Sequence, residues 1–337
     1  MTKQRKAREN VTIRDVARMA GVSPATVSRA FNAPDMLAKE TLTRVREAMA
    51  RSSFVPNILA GSLATHRSHS IALFVPSVAL TLFEPTIRTI IEQFSEHNQQ
   101  VLIGFGGRTN DTFNAALTQV LARRPDAVIA IGIEITPETG ARIRELRIPF
   151  LQAWSVQHNP IDMSVGYSYH QVATALAQLV LRKGYRRPAL VWGTGGISAL
   201  TRHSLVRKLY AAGLRNLPFV ATEFPGDFRD GVASFRELAD DPAGPPDCIL
   251  CVSDYVAHGV MGEAQRVGLV VPRDLAVIGF GDVPFAAGLA PALTTVRIDA
   301  ERIGRLAADM TMHRLAGEPV DEPKIDLGFT LVERNSS

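Results

Sequence analysis

VTIRDVARMAGVSPATVSRAFN, residues 11–32, reads as two short helices joined by a tight turn. Thr12 or Val11 opens the first: Thr12 offers an N-cap hydroxyl, and Ile13, Val16, Ala17 and Ala20 fall on one face. Gly21 closes it, since glycine accepts the positive φ of a helix end. Ser23 caps the second helix, and Pro24 stands at its first position, where a missing N–H costs nothing. Val27, Ala30 and Phe31 line that helix's apolar face. A third helical pattern runs from about Lys39 to Arg51, with Leu42, Val45, Ala48 and Met49 at helical spacing.

The charge of this module differs from that of the rest. Residues 1–70 carry 12 Lys and Arg against five Asp and Glu; the other 267 residues carry 25 against 28. Positive charge gathered in one small module on a neutral-to-acidic body is the footprint of a phosphate-binding head. Beyond it, Phe54-Val55-Pro56-Asn57 makes a break. Ile58–Thr65 is a stretch of small and apolar residues too short to be a stable helix alone. A polar spacer, residues 66–70, follows.

The remaining chain alternates. Apolar runs at 71–76, 100–106, 126–132, 149–154, 188–193, 218–224, 247–252 and 275–281 predict buried strands. Helical patterns lie between them, near 85–97, 111–123, 137–146, 170–183, 200–213, 229–240 and 254–267. Alternation at this spacing predicts parallel sheets with crossover helices. Four units precede residue 160 and four follow it, which predicts two α/β subdomains. Ligands of such sheets bind outside the carboxyl ends of the strands.

With 337 residues, 46% apolar and 21% charged, the chain suits about two globular domains and a small extra module. No apolar run reaches the roughly 20 residues a bilayer needs. No apolar segment follows the basic start, so no secretory signal is read and the cytoplasm is the expected location. Two cysteines make no disulfide framework.

The head resembles that of the lactose-repressor/purine-repressor (LacI) family of bacterial transcription factors. The match rests on Gly21-Val22-Ser23 at the turn and Thr26-Val27-Ser28-Arg29 on the second helix. A hinge-like Phe54-Val55-Pro56-Asn57, then Leu63-Ala64, follows at the family's distance. In the body, residues 271–280 (VPRDLAVIGF) and Leu293-Thr294-Thr295-Val296 extend the likeness over about residues 11–332. The resemblance implies an α/β fold: an N-terminal helix-turn-helix and a two-subdomain, periplasmic-binding-protein-like core with parallel sheets. The implied boundaries are 10–56 for the DNA-binding domain, 57–69 for hinge helix and linker, and 70–337 for the core. Within the core, the N-subdomain takes about 70–165 plus 296–324, and the C-subdomain about 166–295 plus 325–333.

The implied partners are double-stranded operator DNA, a second copy of the chain and a small-molecule effector, with no cofactor and no membrane. A recognition helix enters the major groove with its N-terminal residues against base edges; here these are Pro24, Ala25 and, one turn on, Arg29. Arg29 suits guanine O6/N7 or a phosphate, whereas Ala25 offers only a methyl contact. Thr12, Ser23, Thr26, Ser28 and Asn32 suit phosphate contacts, which position without specifying. Leu63 matches the family's minor-groove leucine, an apolar wedge at a flexible base step. Asn57 matches a backbone-contacting asparagine. Gly61 departs from a good helix former.

Effector residues are implied by local alignment alone. Ser77 and Phe83 follow the first strand, Arg108 the second, and Gln152 and Trp154 end the fourth. Thr201 and Arg202 open the helix after Gly193. Phe228 matches a ring that packs on sugar faces; Ser253, Asp254 and Tyr255 match the family's Asn-Asp-x stretch; Asp282 follows Gly279-Phe280-Gly281. Asp254 has a second role open to it, as the cap of a helix beginning at Tyr255. Ser168-Tyr169 stands where many relatives have Asp-Asn, and Gly281 where they have a polar residue. Residues 325–331 and 163–167 look most like the gluconate-repressor branch, implying a sugar acid as inducer. Arg108 or Arg202 would pair its carboxylate, Asp254 and Asp282 would accept its hydroxyl protons, and Phe228 would stack on its chain.

Other patterns carry less. Cys248 and Cys251 sit in an apolar strand pattern and are expected to be buried and structural, not a zinc or redox pair. Residues 193–196 (GTGG) lack dinucleotide-binding spacing and are expected to form a cleft-facing loop. No P-loop, nucleophile elbow or H-E-x-x-H occurs, so no enzyme is expected. A secreted sugar-binding protein would share the body but not the basic helix-turn-helix.

Overall fold

A computed structural model describes residues 11–32, 34–52, 54, 67–76, 82–107, 110–222 and 224–337, the side chains of Asn32 and Asn110 excepted. The expected hinge helix with Asn57 and Leu63 lies outside the described residues, as do Ser77 and Arg108. The chain divides into two units, residues 1–68 and 69–337.

In the first unit, α1 (Ile13–Ala20) begins after Thr12. The Thr12 N–H and hydroxyl both donate to the Asp15 carboxylate, at 3.0 and 2.7 Å. The Thr12 hydroxyl holds the Asp15 carboxyl below its ordinary range. Gly21 takes φ 66°, and the Val22 N–H reaches back to the Ala17 carbonyl at 3.0 Å, closing the helix. α2 (Pro24–Asn32) is capped by Ser23, whose Oγ accepts the Thr26 N–H at 3.1 Å. With α3 (Lys39–Ser52), these helices bury Val16, Ala17, Ala20, Val27, Val45 and Ala48. Phe31 and Phe54 meet at the edge of this core, centroids 6.3 Å apart.

From Ser70 the second unit runs β1 (Ser70–Val75), α4 (Glu84–Glu96), β2 (Gln100–Phe105), α5 (Asn110–Leu121), β3 (Ala127–Ile131), α6 (Pro137–Leu146), β4 (Phe150–Ala153) and β5 (Met163–Gly166). It continues through α7 (Tyr169–Lys183), β6 (Pro188–Gly193), α8 (Gly196–Ala211), β7 (Phe219–Thr222), α9 (Phe228–Ala239), β8 (Cys248–Cys251), α10 (Asp254–Arg266), β9 (Ala276–Gly281) and β10 (Thr294–Arg297). Then come α11 (Ala300–Leu315), β11 (Lys324–Asp326) and β12 (Thr330–Val332).

Two six-stranded sheets result, β11-β5-β4-β3-β1-β2 and β12-β10-β9-β8-β6-β7. The first is parallel throughout; in the second, β12 alone runs antiparallel, against β10. Every residue of β1, β3 and β8 is buried. Strands covered on both faces show as unbroken apolar runs, which is why these stood out in the sequence. Cys248 and Cys251 are free and buried in β8, and burial pushes both thiols up, so neither is a ready nucleophile or metal ligand.

The chain passes between the sheets after β5, β10 and β11. Ile325, expected in the second subdomain, pairs with Val165 in the first sheet instead. Helix α11, absent from the predicted elements, returns the chain to the first lobe and lies on α4. A Cβ on Gly304 would come within 2.8 Å of the Thr86 carbonyl oxygen, so glycine permits this crossing. The Thr86 hydroxyl donates to the Ala300 carbonyl at 2.7 Å, and Arg88 pairs with Glu301 at 2.9 Å.

Candidate functional site

On α2, Ser23, Pro24, Ala25 and Arg29 are exposed, Thr26 and Ser28 are half-buried, and Val27 faces the core. Pro24, Ala25 and Arg29 thus lie on the exposed surface of α2, and Val27 anchors the helix from behind. The Ser23 and Thr26 hydroxyls share a hydrogen bond at 2.8 Å, which fixes the helix start. Exposed Arg14 and Arg18 on α1 add cations that were not singled out, Arg18 lying 3.3 Å from Asp15. The Asn32 side chain lies outside the described residues.

In the second unit, a narrow cavity lies between the lobes. Gly132, Trp154 and Tyr167 directly follow β3, β4 and β5; Trp192, Val252 and Phe280 stand at the corresponding ends of β6, β8 and β9. The carboxyl ends of parallel strands from both sheets therefore meet in one pocket. Phe83, Ile197, Ser198, Thr201 and Phe224 complete its wall.

The wall is largely aromatic, and the indole N–H groups of its two tryptophans are spoken for. Phe83 stands edge-on to Trp154 at 4.7 Å and to Phe224 at 5.7 Å, the geometry favoured by ring quadrupoles. The Trp154 indole N–H donates to the Thr86 hydroxyl at 2.9 Å, and that of Trp192 to the Ser198 carbonyl at 3.0 Å. Trp154 sits at φ 75°, left-handed backbone that is rare for a bulky side chain. Such a conformation costs on the order of 1–3 kcal/mol, and the ring packing and the bond to Thr86 offset it. Burial pushes the Tyr167 phenol up, so it remains a hydrogen-bond donor.

Of the expected effector residues, Phe83, Trp154 and Thr201 line this cavity. The others are placed differently. Gln152 is buried in β4 and does not line the cavity, its Oε1 accepting the Ile161 N–H at 3.4 Å. Helix α8 starts at Gly196, so Thr201 and Arg202 lie on its second turn, not at its opening. The Arg202 guanidinium rests over the Phe219 ring at 4.4 Å. Phe228 is 43% exposed and packs edge-on against His258. Tyr255 meets Phe285 at 5.1 Å.

Ser253, Asp254 and Asp282 are tied into the second lobe. Ser253 is the cap of α10, its Oγ accepting the Val256 N–H at 3.3 Å; Asp254 is therefore the helix's first residue and not its cap. The Asp254 carboxylate accepts from the Thr295 hydroxyl at 2.6 Å and the Val283 N–H at 2.8 Å. Burial raises it to about 6 against these two donors. Asp282 accepts from Arg297 and Arg334, which together hold it low against its own burial.

Sequence reasoning missed Tyr167, Trp192, Ser198, Phe224 and Phe280 as wall residues. Trp192, Phe224 and Phe280 stood at or near the ends of predicted strands; Tyr167, after the unpredicted β5, and Ser198, inside α8, carried no such signal. Among the described residues, no group of three or more His, Cys, Asp and Glu is arranged to hold a metal ion. No described helix is long and apolar enough to cross a membrane.

Comparison with known proteins adds to this geometry. Residues 12–57 match the bacterial regulatory proteins of the lacI family, and residues 177–337 match a periplasmic binding protein-like domain. The HTH-type transcriptional regulator GntR of Pseudomonas aeruginosa is 32% identical over 329 residues, covering 97% of this chain and 95% of its own length. A transcriptional regulator of the LacI family from Silicibacter pomeroyi has a crystal structure that superposes with TM-score 0.87 at 25% identity, covering 97% of this chain and 99% of that one. The lac repressor dimer bound to operator and the anti-inducer ONPF superposes with TM-score 0.81 at 22% identity, covering 97% and 99%, a likeness of fold.

Proposed function

Because the chain belongs to the LacI family of bacterial regulatory proteins, transcriptional repressors with a ligand-binding domain and not enzymes, we propose the following cycle. A dimer grips a pseudo-palindromic operator through α2 of each copy, and a sugar acid of the gluconate kind enters the cavity and weakens that grip. Two-fold symmetry in the protein implies two half-sites in the DNA. Arg29 addresses base edges or phosphate, and Ser23, Thr26 and Ser28 position the helix on the backbone. The work is done in the cytoplasm, where the operator is.

The observation that carries the reading is the cavity's place between two lobes of the chain that bears the helix-turn-helix. A ligand there touches both sheets, so its binding free energy depends on how the lobes are set. Only such a difference between states can move the DNA equilibrium. Phe83 and Trp154 supply apolar faces for the carbon chain, and Thr201 a hydroxyl. The sugar-acid assignment rests on the resemblance of residues 163–167 and 325–331 to the gluconate-repressor branch. Asp254 and Asp282 contribute indirectly, holding the loop after β9 in place.

The test is fluorescence anisotropy with DNA from upstream of the protein's own gene, titrated with sugar acids, neutral sugars and purines. Release by an aldonate is the expected result. Specific binding that only a neutral sugar or a purine alters overturns the effector class. No specific binding at low salt overturns the operator reading.

A further inference from the structure

The cavity's described wall contains no charged side chain, yet a sugar acid brings a carboxylate. The amino end of α8 answers that need. Gly195 stands at its N-cap position and has no side chain with which to cap it. The N–H groups of the first turn, Gly196, Ile197 and Ser198, have no acceptor within the helix. The helix is 16 residues long, so its dipole places partial positive charge at this end.

A second feature points to a ligand. Ser198 is 7% exposed and lines the cavity, and its Oγ has no hydrogen-bond partner. A buried hydroxyl left without a partner is costly, and such exceptions mark places where another group is due. The first turn is held rigidly: the Trp192 indole takes the Ser198 carbonyl, and the Thr201 hydroxyl takes that of Ile197 at 2.9 Å. It also abuts the first lobe, since a Cβ on Gly196 would stand 3.2 Å from the Gly132 oxygen. Arg202, the cation nearest in sequence, is engaged with the Phe219 ring.

We propose that the effector's anionic group is received at the amino end of α8, by first-turn N–H groups and the Ser198 hydroxyl, in place of an arginine. The inference rests on the effector reading above and narrows it. The site takes a compact monocarboxylate whose carbon chain lies against Phe83, Trp154 and Phe224. A single negative charge suits a helix end, whereas a dianion would leave charge uncompensated in a largely apolar wall. The first lobe feels the ligand through the rings and the second through the helix end, so the ligand bridges both.

Calorimetric titration of the full chain with D-gluconate and with neutral D-glucitol tests this, for wild type, Ser198→Ala and Ser198→Asp. Thermal unfolding and operator binding without ligand verify that each variant folds. Wild type is expected to prefer gluconate by roughly tenfold or more, the scale of a hydrogen bond to a charged group. Ser198→Ala should lose most of that preference. Ser198→Asp, which places a carboxylate at the helix end, should abolish gluconate binding and spare glucitol. If Ser198→Asp does not fold, Ser198→Ala decides alone. Variants that keep the wild-type preference overturn the inference and leave the effector reading standing, the more so if Arg108→Ala removes the preference instead. A wild type that binds neither compound, or glucitol as well as gluconate, overturns both.

Discussion

Thr295 donates its hydroxyl proton to Asp254 at 2.6 Å while accepting the Asp282 N–H at 3.4 Å. One side chain on β10 thus joins the start of α10 to the loop after β9. Burial nevertheless raises the Asp254 carboxyl to about 6, from an ordinary value of 3.8. A folded-state value above the unfolded one means that the neutral form suits the fold better. The contribution is fully present below the ordinary value and is lost as pH rises through about 6. Asp254→Asn removes this dependence. The stability of wild type relative to the variant should therefore grow as pH falls from 7.5 to 4, by about 3 kcal/mol at most. Asp274 and Glu263, both held low at about 2 by arginines, are common to both proteins, so their own loss of contribution in acid cancels in the difference. Denaturant unfolding of both proteins across this range is the measurement; a constant difference would show that Asp254 does not titrate there.

Leu82 of the first lobe reaches Gly281 of the second. A Cβ at 281 would fall 2.6 Å from Leu82 Cδ1, and Gly281 holds φ 125°, where other side chains are strained. Gly281→Ala is expected to cost about 1–3 kcal/mol, part from backbone strain and part from the encounter with Leu82. Leu82→Ala relieves only the second part. A double-mutant cycle by denaturant unfolding should then show the pair of changes costing less than the sum of the single ones. Strict additivity would mean that the two lobes do not touch here in solution.

What was legible in the sequence was local chemistry and continuous burial. Gly21, Ser23 and Pro24 declared the turn because positive φ, a hydroxyl cap and a missing N–H each act within a few residues. β1, β3 and β8 declared themselves as apolar runs because both of their faces are covered. α11 did not: only Ile303 and Met310 are large apolar residues on its buried side, and Gly304, Ala307, Ala308 and Thr311 between and beside them blunt the hydrophobic period. β11 and β12, three residues each, are too short to show one. The cavity was legible only in part. Alignment placed Phe83, Trp154 and Thr201 on its wall, but side-chain partners decide direction, and His258 and Phe219 draw Phe228 and Arg202 to other contacts. Trp192 and Ser198 escaped notice because a wall drawn from six strand ends has no sequence period.

Arg29 is exposed on α2, one turn beyond Ala25. With Pro24 and Ala25 unable to donate hydrogen bonds from their side chains, Arg29 is the side chain there able to address guanine O6 and N7 together. Arg29→Ala should weaken operator binding by about 1–3 kcal/mol and relax preference at one position in each half-site. Loss that is uniform across sequences, with a shallower salt dependence, would assign Arg29 to phosphate instead. Anisotropy against operator variants at two salt concentrations separates these, and unchanged affinity removes Arg29 from the interface.

Induction through the inter-lobe cavity carries an obligation that needs no mutation to check. If a sugar acid lowers operator affinity by some factor, operator must lower sugar-acid affinity by the same factor, because both paths around the cycle reach the same ternary complex. Couplings of this kind typically span about 5–150-fold. Gluconate titrated calorimetrically into the protein alone, and into its saturated operator complex, should therefore give affinities differing by the factor seen in operator release. Salt must be identical in both arms, since operator affinity falls steeply with counterion concentration. Tighter gluconate binding on the operator would reverse the sign and make the ligand a corepressor. Equal affinities would separate the cavity from DNA binding, because a ligand with no preference between two states cannot shift their balance, however tightly it binds.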